Sequence, residues 1–560
     1  MYIGIDVGGT FTDGVLIENN RVLKDFKVNT NKDNLLESIT QTLDKLLDDV
    51  NKDNVQRIVV STTLMTNLIL ENKYDPTGLL FLAGSSINIS ELTIPFAYKI
   101  ASGNIDFQGR ILEDIDENEI IRCVKELIKE KYIINLGIIS KFSTRNPDLE
   151  LKAKKIIKEH FPKLNILSSH EVSGQLNFKR RAMNLGLTLA SGELFTTFTT
   201  SLQEALKLRN LKCPGYILKA DGGVVPINSA HKFAVDTIFS GPAASCFGAK
   251  ALLGEDSTAV VIDIGGTTTD LSLVLDAIPL YASKGAKINN IYTHVRSLAV
   301  NSLPIGGDTS IILKGNEVSL SFKKEGIPAC LGGNNPTVTD CLRVLNLSDF
   351  GDKDKAESSL DKLAKEVNLT SAQLAQKAMD LVVSLIQDGI ELMYISWQNE
   401  PRYRIWQLLH TNNNRLNNII ALGGPSAPIG KLISRRMRLN NIYYPVCNVA
   451  NAIGAALALP NYEENIRINT TKKEISTSWG YFSKQNMPQR LSKEDAINLS
   501  KQIFREYLSE FNIKESPEIY QYEVFNMIRN MHTSGQIHEI KIGITPQIIG
   551  NINLRRYPHE

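Results

Sequence analysis

The sequence predicts an α/β protein built from two similar lobes, and the main reason is a repeated motif. A strand–turn–strand pattern occurs at residues 3–17 and again at residues 260–274. Each copy consists of an apolar run, the pattern Asp-x-Gly-Gly-Thr-x-Thr-Asp, and a second apolar run. Elsewhere, short apolar runs alternate with segments of helical spacing, as in sheets covered by helices. Two equivalent hairpins in one chain suggest two halves that face one triphosphate.

The turn of each hairpin has the composition of a phosphate-binding loop. Glycine lets backbone N–H groups approach an anion without an intervening Cβ, and threonine hydroxyls can add donors. An aspartate that ends each first strand offers hard oxygen to Mg²⁺, through water. A plain hairpin turn is the alternative for one copy, but two copies favour phosphate binding, and neither is a P-loop. The predicted phosphate contacts are Gly8, Gly9, Thr10, Thr12, Gly265, Gly266, Thr267 and Thr269, and the predicted metal ligands are Asp6 and Asp263.

Length and composition indicate an ordinary globular protein. The chain has 560 residues, enough for two or three domains, with 42% hydrophobic and 22% charged residues. A net charge of +2 gives no electrostatic reason to expect nucleic acid as a partner. No apolar run is long enough for a membrane span, and the N-terminus leads directly into a strand. Six cysteines without a C-x-x-C pair fit reduced thiols, so we expect a cytoplasmic protein.

Polar side chains follow the predicted buried strand at residues 57–60, namely Thr62, Thr63 and Asn67. In an open α/β sheet the ligand crevice lies at the carboxyl ends of the strands, so these residues are candidate substrate or phosphate contacts. A helix N-cap cluster is the alternative. Asp221 follows another strand, in a glycine-rich turn, and is a further candidate substrate residue.

One adjacent pair of residues could transfer protons. His170 and Glu171 follow a predicted strand and are candidate acid/base residues, although a surface histidine beside a glutamate is often incidental. The sequence offers no Ser-His-Asp order, metal-ligand cluster or reactive cysteine motif. Asp6, Asp263, His170 and Glu171 are therefore the candidate catalytic residues.

Small residues dominate two predicted helices, at residues 240–249 and 450–458, and such residues allow helices to approach closely. Gly423 and Gly424 end a strand before a helix, where bare backbone suits a flat group such as adenine. Beyond about residue 475 the composition becomes polar, with one amphipathic helix predicted at residues 492–511.

The order of these motifs resembles that of actin-like ATPases and sugar kinases. Within that superfamily, the chain is similar to the ATP-binding A subunit of the hydantoinase/5-oxoprolinase family. The resemblance rests on residues 3–13, 62–67, 143–147, 169–173, 240–244, 263–270, 328–330, 336–340 and 423–425.

The resemblance implies a two-lobed actin-like (ribonuclease H-like) fold with ATP and Mg²⁺ in the interlobe cleft and the nucleoside on Gly423 and Gly424. It places an N-terminal lobe at 1–190, a second lobe with a closing helix at 191–460, and an extension at 461–560. Family members use phosphoryl transfer from ATP to activate a cyclic amide, or a ketone in the carboxylase branch, usually with a separate B-type subunit. We therefore expect a subunit of an ATP-dependent cyclic amidohydrolase, with no nucleic-acid or membrane partner.

Several features are left open by the resemblance. A homo-oligomer is one option for the assembly, and the function could instead be that of a small-molecule kinase or of an actin-like ATPase switch that activates a partner protein. The family usually has a histidine where this chain has Ser61, and a Tyr-Glu-Arg run where it has Phe178, Lys179 and Arg180. These departures leave the predicted nucleotide loops intact but place the identity of the substrate in question.

Overall fold

The computed structural model describes residues 1–84, 87–253, 258–288, 290–323, 326–399, 416–529, 532–544 and 548–553. Elements alternate between strands and helices up to residue 252. They are β1 Tyr2–Val7, β2 Phe11–Glu18, β3 Arg21–Asn29, α1 Leu35–Leu47, β4 Arg57–Thr62, α2 Leu64–Leu70, β5 Thr77–Leu82, β6 Ala97–Ile100, β7 Asn104–Ile105, β8 Ile111–Glu113, α3 Glu117–Lys131, β9 Asn135–Ser140, α4 Asp148–His160, β10 Asn165–Ser168, α5 Phe178–Leu208, β11 Gly215–Leu218, β12 Val224–Pro226 and α6 Ser240–Leu252.

The remaining elements begin with the second hairpin and end with a long hairpin near the C-terminus. They are β13 Ala259–Ile264, β14 Thr269–Leu275, β15 Ile278–Pro279, β16 Lys287–Ile288, β17 Ile291–Tyr292, β18 Val300–Leu303, β19 Ser310–Lys314, β20 Glu317–Ser321, α7 Val338–Val344, α8 Lys353–Glu366, α9 Ser371–Gln398, β21 Asn418–Leu422, α10 Ser426–Met437, β22 Asn440–Ile442, α11 Ala450–Leu457, β23 Glu463–Asn469, β24 Glu474–Ser476, β25 Tyr481–Ser483, α12 Lys493–Ser509, β26 Glu518–Arg529 and β27 His532–Gly543.

The two predicted hairpins occupy equivalent places in two different sheets. In the first lobe, the strand order is β12-β11-β4-β1-β2-β3, and β1 pairs antiparallel with β2 and parallel with β4. In the second lobe, the order is β15-β14-β13-β21-β22, and β13 pairs antiparallel with β14 and parallel with β21. The expectation of two similar halves is therefore confirmed at the level of strand pairing.

Helices α6 and α11 lie between these two sheets, as their small residues suggest. One buried apolar cluster joins Val15 and Ile17 of the first sheet, Val261 and Val274 of the second sheet, and both helices. A Cβ on Gly454 of α11 would lie 2.0 Å from the backbone oxygen of Ala244 in α6. Glycine is required at such a crossing because the two helix backbones are in contact.

Segments from different parts of the chain pack against the first-lobe sheet. Helix α5 runs through residue 190 without a break, and β11 and β12, which follow it, pair into the first-lobe sheet. The C-terminal sheet, with strand order β25-β24-β23-β27-β26, contributes to the same apolar core as β1 and α5. The boundaries at about residues 190 and 460 stay predictions.

The predicted amphipathic helix at 492–511 corresponds to α12, whose N-cap is Ser492, and its apolar side packs into that core. None of the helices within the described ranges has the length and apolar character needed to cross a bilayer.

Candidate functional site

The tips of the two hairpins face each other. In the first tip, the Gly8 N–H donates to the Phe11 carbonyl at 3.0 Å, and the equivalent bond in the second tip joins Gly265 and Thr268 at 2.9 Å. A Cβ built on Gly266 would lie 3.3 Å from the Thr10 hydroxyl, so the turns of the two lobes approach closely. The tips are exposed at Gly9, Thr10, Gly265 and Thr267, and a Cβ on Gly9 would meet open space. The hairpins thus present backbone N–H groups and hydroxyls from both lobes to one region.

Two of the predicted phosphate contacts do not belong to these tips. The Thr12 side chain is fully buried, and its hydroxyl is 3.0 Å from the hydroxyl of Thr30. The Thr269 side chain is equally buried, and its hydroxyl donates to the Ile305 carbonyl at 2.7 Å. Thr12 is the second residue of β2 and Thr269 is the first residue of β14, and both side chains turn inward. The structure therefore corrects the prediction that these two hydroxyls are phosphate donors.

Asp6 and Asp263 are the next-to-last residues of the first strands of their hairpins and are brought together beneath the tips. The side-chain amide of Asn451, on α11, donates to Asp6 Oδ2 at 3.3 Å and to Asp263 Oδ2 at 3.2 Å. Asp263 also accepts a short hydrogen bond from the Ser245 hydroxyl on α6, and Asp6 accepts one from Ser61. Both central helices therefore contribute to holding this carboxylate pair.

When no cation is present, burial favours the protonated, neutral forms of the Asp6 and Asp263 carboxyl groups. Burial, reinforced by the charges of Asp13 and Asp263, raises the pKa of Asp6 to about 7, although hydrogen bonds from Ser61 and Asn451 oppose the rise. Burial also raises the pKa of Asp263 above its ordinary value. A buried carboxylate is destabilised unless a positive charge or sufficient donors compensate it.

The Asp6 and Asp263 carboxylates fit Mg²⁺ that takes its other ligands from water and phosphate. They do not fit a metal ion held by protein side chains alone. Asp6 Oδ1 is buried and has no hydrogen-bond partner among the described residues, so this oxygen is left for a cation. Within the described ranges, no group of three or more His, Cys, Asp or Glu side chains is arranged to hold a metal ion. Mg²⁺ commonly uses one or two carboxylates and completes its shell with water and nucleotide phosphates.

The loop after β21 lies against the second hairpin. Gly423 adopts a positive φ of 92°, and a Cβ there would lie 2.4 Å from the Ile264 backbone oxygen. Gly424 is exposed, with open space where a Cβ would lie. The loop at residues 306–308 also contacts this hairpin, because Gly307 and Asp308 donate their backbone N–H groups to Gly265 and Gly266. The bare backbone is thus open to solvent at Gly424 but packed at Gly423, and contact of this loop with adenine stays a prediction.

The residues after β4 form the start of a helix, which was the alternative considered from the sequence. The Thr62 side chain is buried, and its hydroxyl accepts the Leu64 N–H at 3.1 Å. Thr63 is the N-cap residue of α2 and is half-buried, as is Asn67. Thr63 and Asn67 stay candidate contacts at the carboxyl end of β4, whereas the Thr62 hydroxyl is engaged in the turn.

Asp221 is part of the buried framework. Its carboxylate accepts hydrogen bonds from the Gly223 N–H at 3.0 Å and from the Asn461 side chain at 2.5 Å, and Lys219 Nζ lies 3.5 Å away. The residue is 4% exposed. The prediction of Asp221 as a substrate contact is therefore not supported, because its oxygens hold a turn against the start of the C-terminal segment.

His170 has a different acid partner from the one predicted. Its ring Nδ1 lies 2.6 Å from Glu150 Oε2, and Glu150 is fully buried on α4. Glu171 instead pairs with Lys154 at 2.7 Å and accepts the Ser168 N–H in a capping box. The predicted His170–Glu171 pair is corrected to a His170–Glu150 pair.

Sequence reasoning missed four residues that these arrangements depend on: Asn451, Ser245, Ser61 as a carboxylate partner, and Glu150. A single amide among alanines in the helix at 450–458 was the available signal for Asn451. Glu150 had no comparable signal, because its role depends on the packing of α4 against β9 and β10.

Two profiles of known protein families match this chain. The profile of the hydantoinase/oxoprolinase N-terminal region matches residues 2–161, and that of hydantoinase/oxoprolinase matches residues 190–464. The chain belongs to the hydantoinase/oxoprolinase family. This confirms the family resemblance derived from the motifs.

Characterised relatives of this hydantoinase/oxoprolinase-family chain are distant. It is 22% identical over 445 residues to caprolactamase subunit alpha of Pseudomonas jessenii, covering 71% of this chain and 64% of that subunit. It is 23% identical over 430 residues to the acetophenone carboxylase gamma subunit of Aromatoleum aromaticum, covering 67% of this chain and 58% of that subunit. The chain thus spans less than two-thirds of the length of either subunit.

Two solved structures share the fold. The nucleotide-free acetone carboxylase matches with a TM-score of 0.73 at 17% identity, covering 100% of this chain and 89% of the other. The ATP-dependent caprolactamase of Pseudomonas jessenii matches with a TM-score of 0.69 at 16% identity, covering 97% of this chain and 87% of the other. These likenesses confirm the predicted two-lobed, actin-like α/β fold class.

Proposed function

We propose that this chain is the ATP-binding subunit of an enzyme that phosphorylates a cyclic amide and so activates it for ring opening. The observation that carries the proposal is the pairing of two phosphate-loop hairpins, from two lobes, above Asp6 and Asp263. Hydantoins, 5-oxoproline and other lactams are the substrate classes that the family name and the caprolactamase relative suggest. The carboxylase relatives make a ketone the second substrate class to be tested.

In this proposal, the chain's own groups bind and orient the triphosphate. Backbone N–H groups at the hairpin tips, with the Thr10 and Thr267 hydroxyls, donate to phosphate oxygens from both lobes. Asp6 and Asp263 hold Mg²⁺, with Asn451 keeping the two carboxylates in register. The ion, when bound, neutralises negative charge on the phosphoryl group during transfer. Phosphorylation makes the amide carbon more electrophilic, so that water can add to it and the ring C–N bond can break, and the original amide oxygen then leaves as part of phosphate.

The amide-opening half of the reaction is assigned to a B-type partner subunit. The subunit names of the caprolactamase and acetophenone carboxylase relatives support a multi-subunit enzyme. The purified chain alone should therefore show at most slow ATP hydrolysis with hydantoin, 5-oxoproline or caprolactam. Adding a B-type subunit encoded beside it should raise amide-dependent ATP turnover well above the sum of the two separate rates.

The same assay separates the alternatives. A small-molecule kinase would accumulate a stable phosphate ester, visible by phosphorus NMR, instead of free phosphate. An actin-like switch would turn over ATP at a rate that no small molecule changes. Asp263→Ala should lose orders of magnitude in turnover, whereas Asp33→Ala, at an exposed aspartate, should match the parent. Unchanged turnover in Asp263→Ala would contradict the assignment of the metal site.

A further inference from the structure

A further carboxylate lies at the hairpin tips, on the loop at residues 304–309 between β18 and β19. A Cβ built on Gly266 would lie 2.8 Å from Asp308 Oδ2 and 3.3 Å from the Thr10 hydroxyl. Gly266 and Thr10 belong to different lobes, and both are phosphate contacts in the proposed function. The Asp308 carboxylate therefore lies where the two predicted phosphate loops meet.

The loop that carries Asp308 is held by the second hairpin on one side and by α7 on the other. The Asp308 N–H donates to the Gly266 carbonyl at 2.7 Å, and the Gly307 N–H donates to the Gly265 carbonyl at 3.0 Å. Thr339 of α7 donates both its backbone N–H and its hydroxyl to the Gly307 carbonyl, each at 2.9 Å. Backbone hydrogen bonds to the hairpin thus set the position of the carboxylate.

Asp308 is separate from the carboxylate pair that fits Mg²⁺. Within the described part of the chain, no three His, Cys, Asp or Glu side chains are grouped so that they could hold a metal ion. Asp6 and Asp263 are therefore not arranged to share an ion with Asp308. Those two carboxylates lie beneath the tips, whereas Asp308 is half-buried at the tips themselves.

A carboxylate in this place is unfavourable if phosphate is the only ligand, because like charges a few ångströms apart repel each other. A group that donates a hydrogen to Asp308 from beside the terminal phosphate would remove the conflict. The molecule that receives the phosphoryl group is such a group, since it must lie next to the phosphorus that it attacks. A carboxylate has about four acceptor positions, so Asp308 can serve this molecule in addition to groups of the chain.

We propose that Asp308 is the base that takes a proton from the phosphoryl acceptor. The inference rests on the proposed function, because it requires ATP between the two hairpins. With a cyclic amide, the N–H proton passes to Asp308, a C–N double bond forms, and the carbonyl oxygen bonds to the γ-phosphorus. The bond from that phosphorus to the β-phosphate oxygen breaks, and ADP leaves. With water as the acceptor, an O–H proton passes to Asp308 and the product is inorganic phosphate.

Asp308→Asn tests the proposal with water as the acceptor, because the amide keeps the size of the carboxylate and is not a base. Single-turnover ATP hydrolysis by the full chain should slow about a hundredfold or more. Calorimetric affinity for ATP with Mg²⁺ should equal or exceed that of the parent, since a negative charge beside the phosphates is gone. Asp33→Asn, at an exposed aspartate, should match the parent in both measurements.

Either of two results would overturn the proposal. One is a parental rate of hydrolysis in Asp308→Asn. The other is weaker ATP binding by this variant, because Asp308 would then be a ligand of the nucleotide or its metal ion.

Two lactams that differ by one methyl group test the same role with an amide as the acceptor. With the B-type subunit present, caprolactam should raise the ATP turnover of the parent far more than N-methylcaprolactam, which has no N–H proton to give. Asp308→Asn should lose most of this difference, and equal stimulation of the parent by both lactams would overturn the proposal. Failure of every cyclic amide to stimulate turnover would count against the proposed function, and hydrolysis and ATP binding by Asp308→Asn would still decide the role of Asp308.

Discussion

Asp6 and Asp263 come from equivalent strands of different lobes, and both accept a hydrogen bond from the one side-chain amide of Asn451. The donor belongs to α11, which packs between the two sheets, so the carboxylate pair is tied to the element that joins the lobes. Movement of one lobe relative to the other would alter this arrangement directly. We therefore expect a change in lobe position to alter the carboxylate pair through Asn451.

Replacing Asn451 with leucine should destabilise the nucleotide-free protein. The two carboxylates would lose a shared donor in a buried site, at a cost of about 1–3 kcal/mol in the free energy of unfolding. Denaturant unfolding without Mg²⁺ measures the loss, and Asn417→Leu, at an exposed asparagine, is the matched control. Equal stability of Asn451→Leu and the parent would show that the amide does not support the pair.

The stability of the Mg²⁺-free protein should depend on the protonation of Asp6. Its pKa is raised from 3.8 to about 7 in the folded state, so protonation favours folding. This stabilisation is complete below the unfolded-state pKa and is lost as the pH rises through about 7. Asp6→Asn has no carboxyl group to titrate at this position. Above that pH its free energy of unfolding should exceed that of the parent by up to ~4 kcal/mol, because each unit of pKa shift corresponds to ~1.4 kcal/mol.

The measurement is denaturant unfolding of the parent and Asp6→Asn across this pH range with a metal chelator present. The two stability curves should diverge as the pH rises. Parallel curves would mean that Asp6 titrates at its ordinary value.

Adding one methyl group where α6 and α11 cross should destabilise the folded protein. A Cβ on Gly454 would lie 2.0 Å from the Ala244 carbonyl oxygen and 2.5 Å from the Gly248 nitrogen, and backbone atoms cannot move aside cheaply. Gly454→Ala should lower the melting temperature strongly. Gly192→Ala is the matched control, because this glycine in α5 has nothing within 4 Å of a built Cβ. The free energy of unfolding of Gly192→Ala should equal that of the parent or exceed it by roughly 0.5–1 kcal/mol. If Gly454→Ala were equally stable, the close contact between α6 and α11 would be refuted.

The local order of residue types in the sequence was sufficient to predict the hairpins, the two small-residue helices and the fold class. Strand pairing places Asp6 and Asp263 as expected because each is next to last in a strand that leads into a Gly-Gly turn. The same regularity misled the prediction for Thr12 and Thr269, since sequence spacing does not show which face of the second strand is buried. Asn451 comes from a helix distant in sequence from both aspartates, and Glu150 comes from α4, the helix before the strand that leads to His170. Only the packing of those helices brings the two partners to their positions.

Ser61, where the family resemblance led us to expect a histidine, lies directly at the carboxylate pair. It is fully buried, donates to Asp6, and is 3.2 Å from the Ser240 hydroxyl at the start of α6. Ser61→Ala should raise the pKa of Asp6 further and weaken Mg²⁺-dependent ATP binding at neutral pH. Ser500→Ala removes a buried hydroxyl that has no partner within the described residues and serves as the control. Equal Mg²⁺ affinities in isothermal titration would show that Ser61 does not tune the site.

The central claim is that the amide oxygen becomes part of the phosphate that leaves. A lactam labelled with heavy oxygen at its carbonyl, incubated with ATP, Mg²⁺ and this chain together with its B-type partner, tests it most directly. The account predicts that mass spectrometry finds the heavy oxygen in the released phosphate, in proportion to the ring-opened product. Ring opening in which the released phosphate carries no label would contradict it, because the amide oxygen would then not have left as part of phosphate.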